Sequence, residues 1–587
     1  MKTPSHAASM EESTMLHRKL GAKSLLIMMA ILLLLAIGAC GGPAEDADTA
    51  APAAATSAPS APEATAVPAA PAQPTEAPSG AMTEETGGKV TLMNAVWATE
   101  LFTPRDGVGE TATYGRQMHA FWINGNENLE MVPGVLTDWS VSEDGLSWDL
   151  TLRDGIVFHN GDPLTIDDAM FTMEFTFGPE AVTESISPSV QAEAADTASI
   201  EATGPDTLRV THASPKAFFP FFISDLSFGI AGVLLPKNHF ESLGQDGYND
   251  DPVGAGPFRL EKHVISEQIL LERFEDYFLP ERGPSFQTLD MRLVPEVATR
   301  VAALRAGDAD VVEANLAVKD QVEDGGGRMI WSQESSYIWI LLPGCWEEQF
   351  PCHKKEVRHA LDYAIDKDLI INQLYGPQAA VSKGWNWATP NALGYSEELD
   401  PFPYDPELAQ QLMADAGYPD GDGFGTLEVH TWKAGDVPFL PEQAQLIADM
   451  WEKNLGIDVD VIVGEAATVR ERWFDRQLDG KVIVRANETR WDGGSITNAV
   501  YGNPEGGAHL GGRRDDLIKI AKDVLSVVDP ALRQEAFNEA YKILREEHYE
   551  FGTGYVNLPW GVGPRIAEWE PWPVVAYQTA LWTMKLN

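Results

Sequence analysis

TLEVHTWKAGDVPFLPEQAQLIADMWEKNLGIDVDVIV, residues 426–463, changes its apolar period twice. Leu427, Val429 and Thr431 alternate, as they would in a strand. Ala444, Ile447, Ala448, Trp451 and Leu455 then share one side of a helix. Ile457, Val459, Val461 and Val463 alternate again, separated by Asp458 and Asp460. Strand, helix, strand is a βαβ unit, which needs a parallel sheet covered by helices.

Outward from that unit the same grammar recurs. In DMRLVPEVATRVAALRAGDADVV, residues 290–294 suit a strand, Val297, Val301 and Leu304 mark a helix, and Gly307 caps it before a strand at Asp310–Val312. In DPELAQQLMADAGYPDG, Asp405 can N-cap and Pro406 fits the first helical position. Ala409, Leu412, Met413 and Ala416 form its buried face, and Gly417 stops it. Two later helices use Leu517, Ala521, Val524 and Val528, then Phe537, Ala540, Tyr541 and Leu544. KVTLMNAVW, LSWDLTLRDG and DTLRVTHA make the N-terminal part more β-like. The fold class is α/β, with mixed sheets flanked by helices in at least two lobes, and no short-period repeat.

The bulk numbers bound the function. A chain of 587 residues, 44% hydrophobic, buries more than one core. A net charge of −46 repels nucleic acid and anionic membrane surfaces, and no Lys/Arg run offsets it, so no nucleic acid partner is expected. Three cysteines, Cys40, Cys345 and Cys352, do not make a disulfide scaffold.

The N-terminus reads as an export signal. Arg18, Lys19 and Lys23 precede the uncharged run LLIMMAILLLLAIGA at 25–39. That run is short against the roughly 20 residues of a membrane span, although an uncleaved anchor stays open as a reading. Ile37-Gly38-Ala39-Cys40 resembles a bacterial lipobox, which implies that Cys40 is lipidated and that residues 1–39 are removed. The sequence before Met15 carries Glu11 and Glu12 and is odd for a signal, so MLHRKLGAK marks an alternative start. Residues 40–88 are Ala/Pro-rich and acidic, with no Lys or Arg. They have almost nothing apolar to bury and read as a disordered, extended tether.

PGVLTDWSVSEDGLSWDLTLRDGIVFHNGDPLTIDDAMFTME, residues 133–174, is physically a hairpin, a turn and a helix. Trp139 and Trp148 anchor it, Glu143-Asp144-Gly145 turns it, and Thr165 can cap a helix with Asp167 and Asp168 in its first turn. The order of residues resembles the family 5 solute-binding proteins of ABC importers, the oligopeptide, dipeptide and nickel group. The resemblance runs through Trp139, Asp144-Gly145, Leu152-Arg153-Asp154-Gly155, Phe158-His159-Asn160-Gly161, Pro163-Leu164-Thr165 and Asp168. It continues at Pro252-Val253-Gly254-Ala255-Gly256-Pro257-Phe258, at Val357-Arg358-His359-Ala360-Leu361 through Ala364-Ile365-Asp366-Lys367, and at Tyr404-Asp405-Pro406 through Ala416-Gly417-Tyr418-Pro419.

The resemblance implies the two-lobed periplasmic-binding-protein fold, type II, with an extra domain and hinge closure on the ligand. Residues 89–340 would form the first lobe, with the extra domain inserted at about 134–250. Residues 341–550 would form the second lobe, and 551–587 would return to the first. It also implies an extracytoplasmic, monomeric, lipid-anchored binder that delivers a small solute, a peptide first of all, to a membrane permease driven by an ATPase. Oligosaccharide, opine and metal-chelate ligands are alternatives. No cofactor, resident metal or catalytic residue is expected.

Peptide binders of the family place an Asp a few residues after a Trp to pair with the peptide amine. Here Asn487 to Gly494 carries Trp491 with Asp492 immediately after it, and the following Asp-Pro pair is missing. An acid beside an aromatic can bind a cation, an amine or sugar hydroxyls, and a packed core aromatic is the bland reading of Trp491. Arg490, Trp491, Asp492, Trp385, Trp387 and Trp432 are the ligand-binding candidates among 17 Trp. His159 reads as scaffold and Arg153 as a structural ion pair. Cys345, Cys352, His353 and His359 lack the close cysteine pairs of a zinc site, so a local disulfide between Cys345 and Cys352 is the expectation for an exported chain. That segment departs from the family pattern. A tethered secreted hydrolase is the rival from another class, but no G-x-S-x-G, H-E-x-x-H or P-loop is present. A binding module feeding a sensor kinase is a third reading.

Overall fold

The computed structural model describes residues 88–587, apart from 98, 106–110, 186, 228, 377–379, 382–383, 386, 434–436, 438, 505 and 574–579. The signal segment, Met15, Cys40 and the tether up to residue 87 lie outside the described residues. No helix among the described residues is long and apolar enough to cross a membrane.

In chain order the elements that matter here begin with β1 (Lys89–Asn94), β2 (Leu136–Val141), β3 (Ser147–Leu152), α1 (Ile166–Phe177), β4 (Thr197–Ala202) and β5 (Thr207–His212). Next come β6 (Phe258–Val264), β7 (Gln268–Arg273), β8 (Thr288–Leu293), α2 (Val297–Ala306), β9 (Val311–Glu313) and β10 (Arg328–Leu341). The later part holds α3 (Lys355–Tyr363), α4 (Pro406–Asp415), β11 (Thr426–Trp432), α5 (Leu440–Leu455), β12 (Asp458–Gly464) and β13 (Val482–Glu488). The chain closes with α6 (Asp515–Ser526), α7 (Pro530–Glu547) and β14 (Glu550–Val562).

One large mixed sheet runs β12-β11-β13-β10-β14-β9-β1-β8-β7-β6. Both βαβ units are present. β11 is parallel to β12 and β13, and β1 is parallel to β8 and β9. A second sheet, β2-β3-β5-β4, is antiparallel and packs with α1. The large core between Tyr337 and Val556 covers the β11 end of the big sheet. A second core lies around the small sheet between Ala120 and Ala255. A third joins Val90 and Leu92 to Trp560, Val562 and Met584 from the chain's far end.

Local signals explain most helix ends. Thr165 accepts the Asp168 N–H, and Asp168 reaches back to the Thr165 N–H at 2.9 Å, a reciprocal cap on α1. Asp405 caps α4 through the Leu408 N–H at 2.9 Å, and Gly307 ends α2 in the left-handed region at φ +80°. Two expectations shift. The helix read as including Val528 ends at Ser526, because Asp529 accepts from Ala531 and Leu532 and starts α7. The alternation of Val459, Val461 and Val463 does not bury one face, because β12 is the edge of the sheet and Val463 stands exposed. Cys345 and Cys352 are disulfide-bonded, with Cα atoms 5.1 Å apart.

Candidate functional site

Strand direction locates the site. In open α/β sheets ligands sit beyond the carboxyl ends of parallel strands. β13 runs antiparallel to β10, from Ile483 opposite Leu341 to Glu488 opposite Ser336, so its carboxyl end points at residues 333–335. β9 runs antiparallel to β14, from Val311 opposite Val562 to Glu313 opposite Trp560, so its carboxyl end points at residue 557. β10 and β14 pair along their length but break register between Ser332/Leu558 and Ser336/Val556. Residues 333–335 therefore face Asn557 alone. The carboxyl edges of the two halves of the sheet converge on this one crossing from opposite sides.

The second half supplies Trp432 at the end of β11 and Arg490 and Trp491 just past β13. Trp432 is buried, with the Arg470 and Arg485 guanidiniums 5.7 and 5.6 Å from its ring. Arg490 is half-buried. Trp491, also half-buried, stacks on Phe221 at 5.6 Å between centroids, in a small apolar cluster with Leu129, Leu226 and Trp572. The first half supplies Asn94 and Trp97, at and just past the end of β1. Asn94 is 1% exposed, and among the described residues neither of its amide atoms nor the Trp97 indole N–H has a hydrogen-bond partner. Buried polar groups are seldom left this way unless something else satisfies them.

The remaining candidates sit differently. Asp492 is buried and ion-paired to Arg533 of α7 at 2.6 Å, and it also accepts the Gly494 N–H at 2.8 Å. Arg533 in turn donates to the carbonyl of Val524 at the end of α6. Trp385 and Trp387 are core residues, 5.6 Å apart between centroids and packed on Tyr541. A Cβ on Gly493 would run into Trp387 and Tyr541, so the Asp492-Gly493 turn rests directly on that aromatic layer. His159 is scaffold. Its N–H donates to Gly254 at 2.9 Å, its Nε2 lies 3.1 Å from the Gly256 carbonyl, and burial pulls its pKa down to about 4. Arg153 differs from the expected ion pair. It donates to the Gly134 carbonyl at 2.9 Å and faces the Phe278 ring, and among the described residues no carboxylate pairs with it.

A cavity of about 1200 Å³ lies beside this seam, walled by Arg153, Arg282, Arg328, Trp569, Trp572 and Trp582. Trp572 and Trp582 pack in the same apolar cluster as Phe221 and Trp491. Arg282 is held by Asp225 at 2.9 Å, with its guanidinium 4.5 Å from the Trp582 ring. On the other side of the crossing, Tyr395 donates to Asp400 at 3.2 Å; burial and then that carboxylate push its pKa up to about 12. Asn94, Trp97, Phe221, Trp572 and Trp582 were not singled out from the sequence. Asn94 alone had a local signal, as the last residue of a strand in a parallel unit.

The model of bacterial extracellular solute-binding proteins, family 5, matches residues 130–504. This chain belongs to that family. As a family 5 solute-binding protein it binds a solute outside the cytoplasm for an ABC importer, and the matches favour neither a secreted hydrolase nor a sensor-linked module. It is 29% identical over 379 residues to heme-binding protein A of Haemophilus influenzae, covering 61% of this chain and 66% of that one. It is 23% identical over 483 residues to the oligopeptide-binding protein AppA of Bacillus subtilis, covering 79% and 84%. The solved structure of HbpA2 from Haemophilus parasuis superposes with a TM-score of 0.72 at 19% identity, over 85% of this chain and 100% of that one. AppA from Bacillus subtilis in complex with a nonapeptide superposes at 0.65 with 18% identity, over 86% and 99%. These superpositions place the solute-binding protein in the family's fold.

Proposed function

We propose that this solute-binding protein captures a peptide-like small solute at the strand crossing, between two lobes that close on it. The observation that carries the reading is the convergence of the β9 and β13 carboxyl ends on one register break, with Trp491 and Phe221 meeting beside it. Residues 89–340, with an inserted domain at about 134–250, form one lobe, which 551–587 complete, and 341–550 form the other. The separate cores support a division into lobes, with Phe551, Tyr555 and Val556 packing in the second-lobe core and the return to the first-lobe core starting at Trp560. Trp491, Arg490 and Trp432 face the solute. Asp492 acts through Arg533 by fixing the turn that carries Trp491, and Trp385 and Trp387 form the layer beneath it.

Capture involves no chemical step. Solute stabilises the closed arrangement by its differential affinity, and the closed form engages a permease and ATPase complex. The protein works as a monomer held by lipid on Cys40. The 40–88 tether keeps it at high effective concentration near its permease. The peptide reading draws support from relatives that bind oligopeptides and di- or tripeptides.

The test is mass spectrometry of small molecules released from the purified protein. Peptides are the expected finding, and Trp491→Ala should then lower their recovery. A sugar, heme or metal chelate would overturn the peptide assignment and leave capture standing. A protein that carries nothing goes into a thermal-shift screen, where a ligand at a hundred times its dissociation constant adds about 2.7 kcal/mol.

A further inference from the structure

Glu334 sits in the middle of the crossing with φ +54°, the left-handed region where an L side chain crowds the following carbonyl. It is not glycine, and it is buried. A residue stays in such a conformation only where its surroundings over-determine it. Its N–H donates to Asn557 Oδ1 at 2.8 Å, and its carbonyl accepts the Thr489 hydroxyl. Its carboxylate accepts the Asn391 backbone N–H at 3.1 Å and the Asn391 side-chain amide at 2.7 Å. Both of these donors are uncharged, each meets a different carboxylate oxygen, and the ionised acceptor strengthens both bonds.

Both flanks of Trp491 hang from this residue. Thr489, two positions before Trp491, bonds the Glu334 carbonyl through its hydroxyl and the Ser335 carbonyl through its N–H at 3.0 Å. The turn that contains Asn391 donates the Leu393 N–H to the Trp491 carbonyl at 2.7 Å. On the other side of the crossing, Ser332 donates to the Trp572 carbonyl at 3.0 Å. The strained position, the two supports of Trp491 and the Trp572 segment are thus bonded in one chain of contacts.

We propose that Glu334 is a positioning residue for solute capture. By holding Thr489 and Asn391 it sets Trp491 against Phe221 and biases the crossing toward the closed arrangement. This rests on the reading of the crossing as the place where the two lobes close on solute. Releasing the carboxylate frees the Asn391 turn, lets Trp491 withdraw from Phe221, and shifts the ligand-free population toward open.

The test is pulsed electron spin resonance on the ligand-free full chain, with spin labels on encoded ketone side chains at the exposed Ser199 and Lys453, which leaves the cysteines alone. Glu334→Ala is expected to move population from the shorter to the longer distance. Glu334→Gln keeps one acceptor oxygen but turns its NH2 toward the second Asn391 donor, so it is expected to give a smaller shift in the same direction. Asn391→Ala removes the side-chain half of the grip from an exposed position and leaves the backbone N–H, so it keeps the question answerable if Glu334→Ala does not fold. It should give a smaller shift in the same direction, and the double variant should go no further than Glu334→Ala alone. Two populations that Glu334→Ala and Asn391→Ala leave unchanged, or shifts that simply add, would overturn the role of Glu334. A single distance in every variant, with and without whatever solute co-purifies, would overturn closure at the crossing as well.

Discussion

Asp492 shows how a side chain's task depends on a partner far along the chain. Its carboxylate and Arg533 are both buried and lie 2.6 Å apart. Removing one member of a buried pair leaves the other charge without compensation. Arg533→Ala is therefore expected to cost about 3–5 kcal/mol, read as a lower urea midpoint. Glu550 is the opposite case. It sits between Tyr501 and Trp339, with no cation among its hydrogen-bond partners in the described residues, and burial pushes its carboxyl up to about 8. Between its ordinary value of 4.5 and about 8 the folded state holds a proton that the unfolded chain has released, so stability falls as pH rises through that window. Glu550→Gln is expected to remove this slope, matching the wild type near about pH 5 and exceeding its urea midpoint near about pH 9. The sequence marks Trp491 and its acidic neighbour as notable. It does not reveal that the acid is committed to Arg533, because no spacing rule links positions 41 apart.

Elements governed by neighbouring residues were readable in advance. The cap at Thr165, the turn at Asp144-Gly145, the stop at Gly307 and both βαβ units follow from short-range pattern and hold in the fold. Thr165→Ala is expected to destabilise by about 1 kcal/mol through loss of the α1 cap, measured by chemical denaturation. The strand crossing was not readable. Glu334 meets Asn557 across 223 residues, and β10 shows its break only against β14. The aromatic seam is equally opaque, since Phe221, Trp491 and Trp572 come from three distant stretches. Side-chain period states which residues are buried and is silent on what they are buried against.

At the scale of the molecule, five histidines with lowered pKa values tie stability to acid, His359 and His430 among them. Burial holds His119 at about 3, and His159 and His212 at about 4, below the ordinary 6.5. The unfolded chain takes up protons first as pH drops below 6.5, so folding weakens from there down through the folded values near 4. The urea midpoint is expected to fall between about pH 7 and about pH 5, and replacing His212 with Gln should flatten part of that slope. The placement of the chain's two ends has another consequence, one of timing. Val90 and Leu92 share a core with Trp560, Val562, Ile566 and Met584, and β9, already beside β1, finds its second neighbour only in the last strand of the large sheet. A nascent chain can pair β1 with β8 and β9 by residue 313, but it cannot complete the core around β1 until nearly every residue has left the ribosome, and long-range contacts of this kind form slowly. Such a protein remains threadable while it is synthesised, which suits a family whose members work outside the cytoplasm.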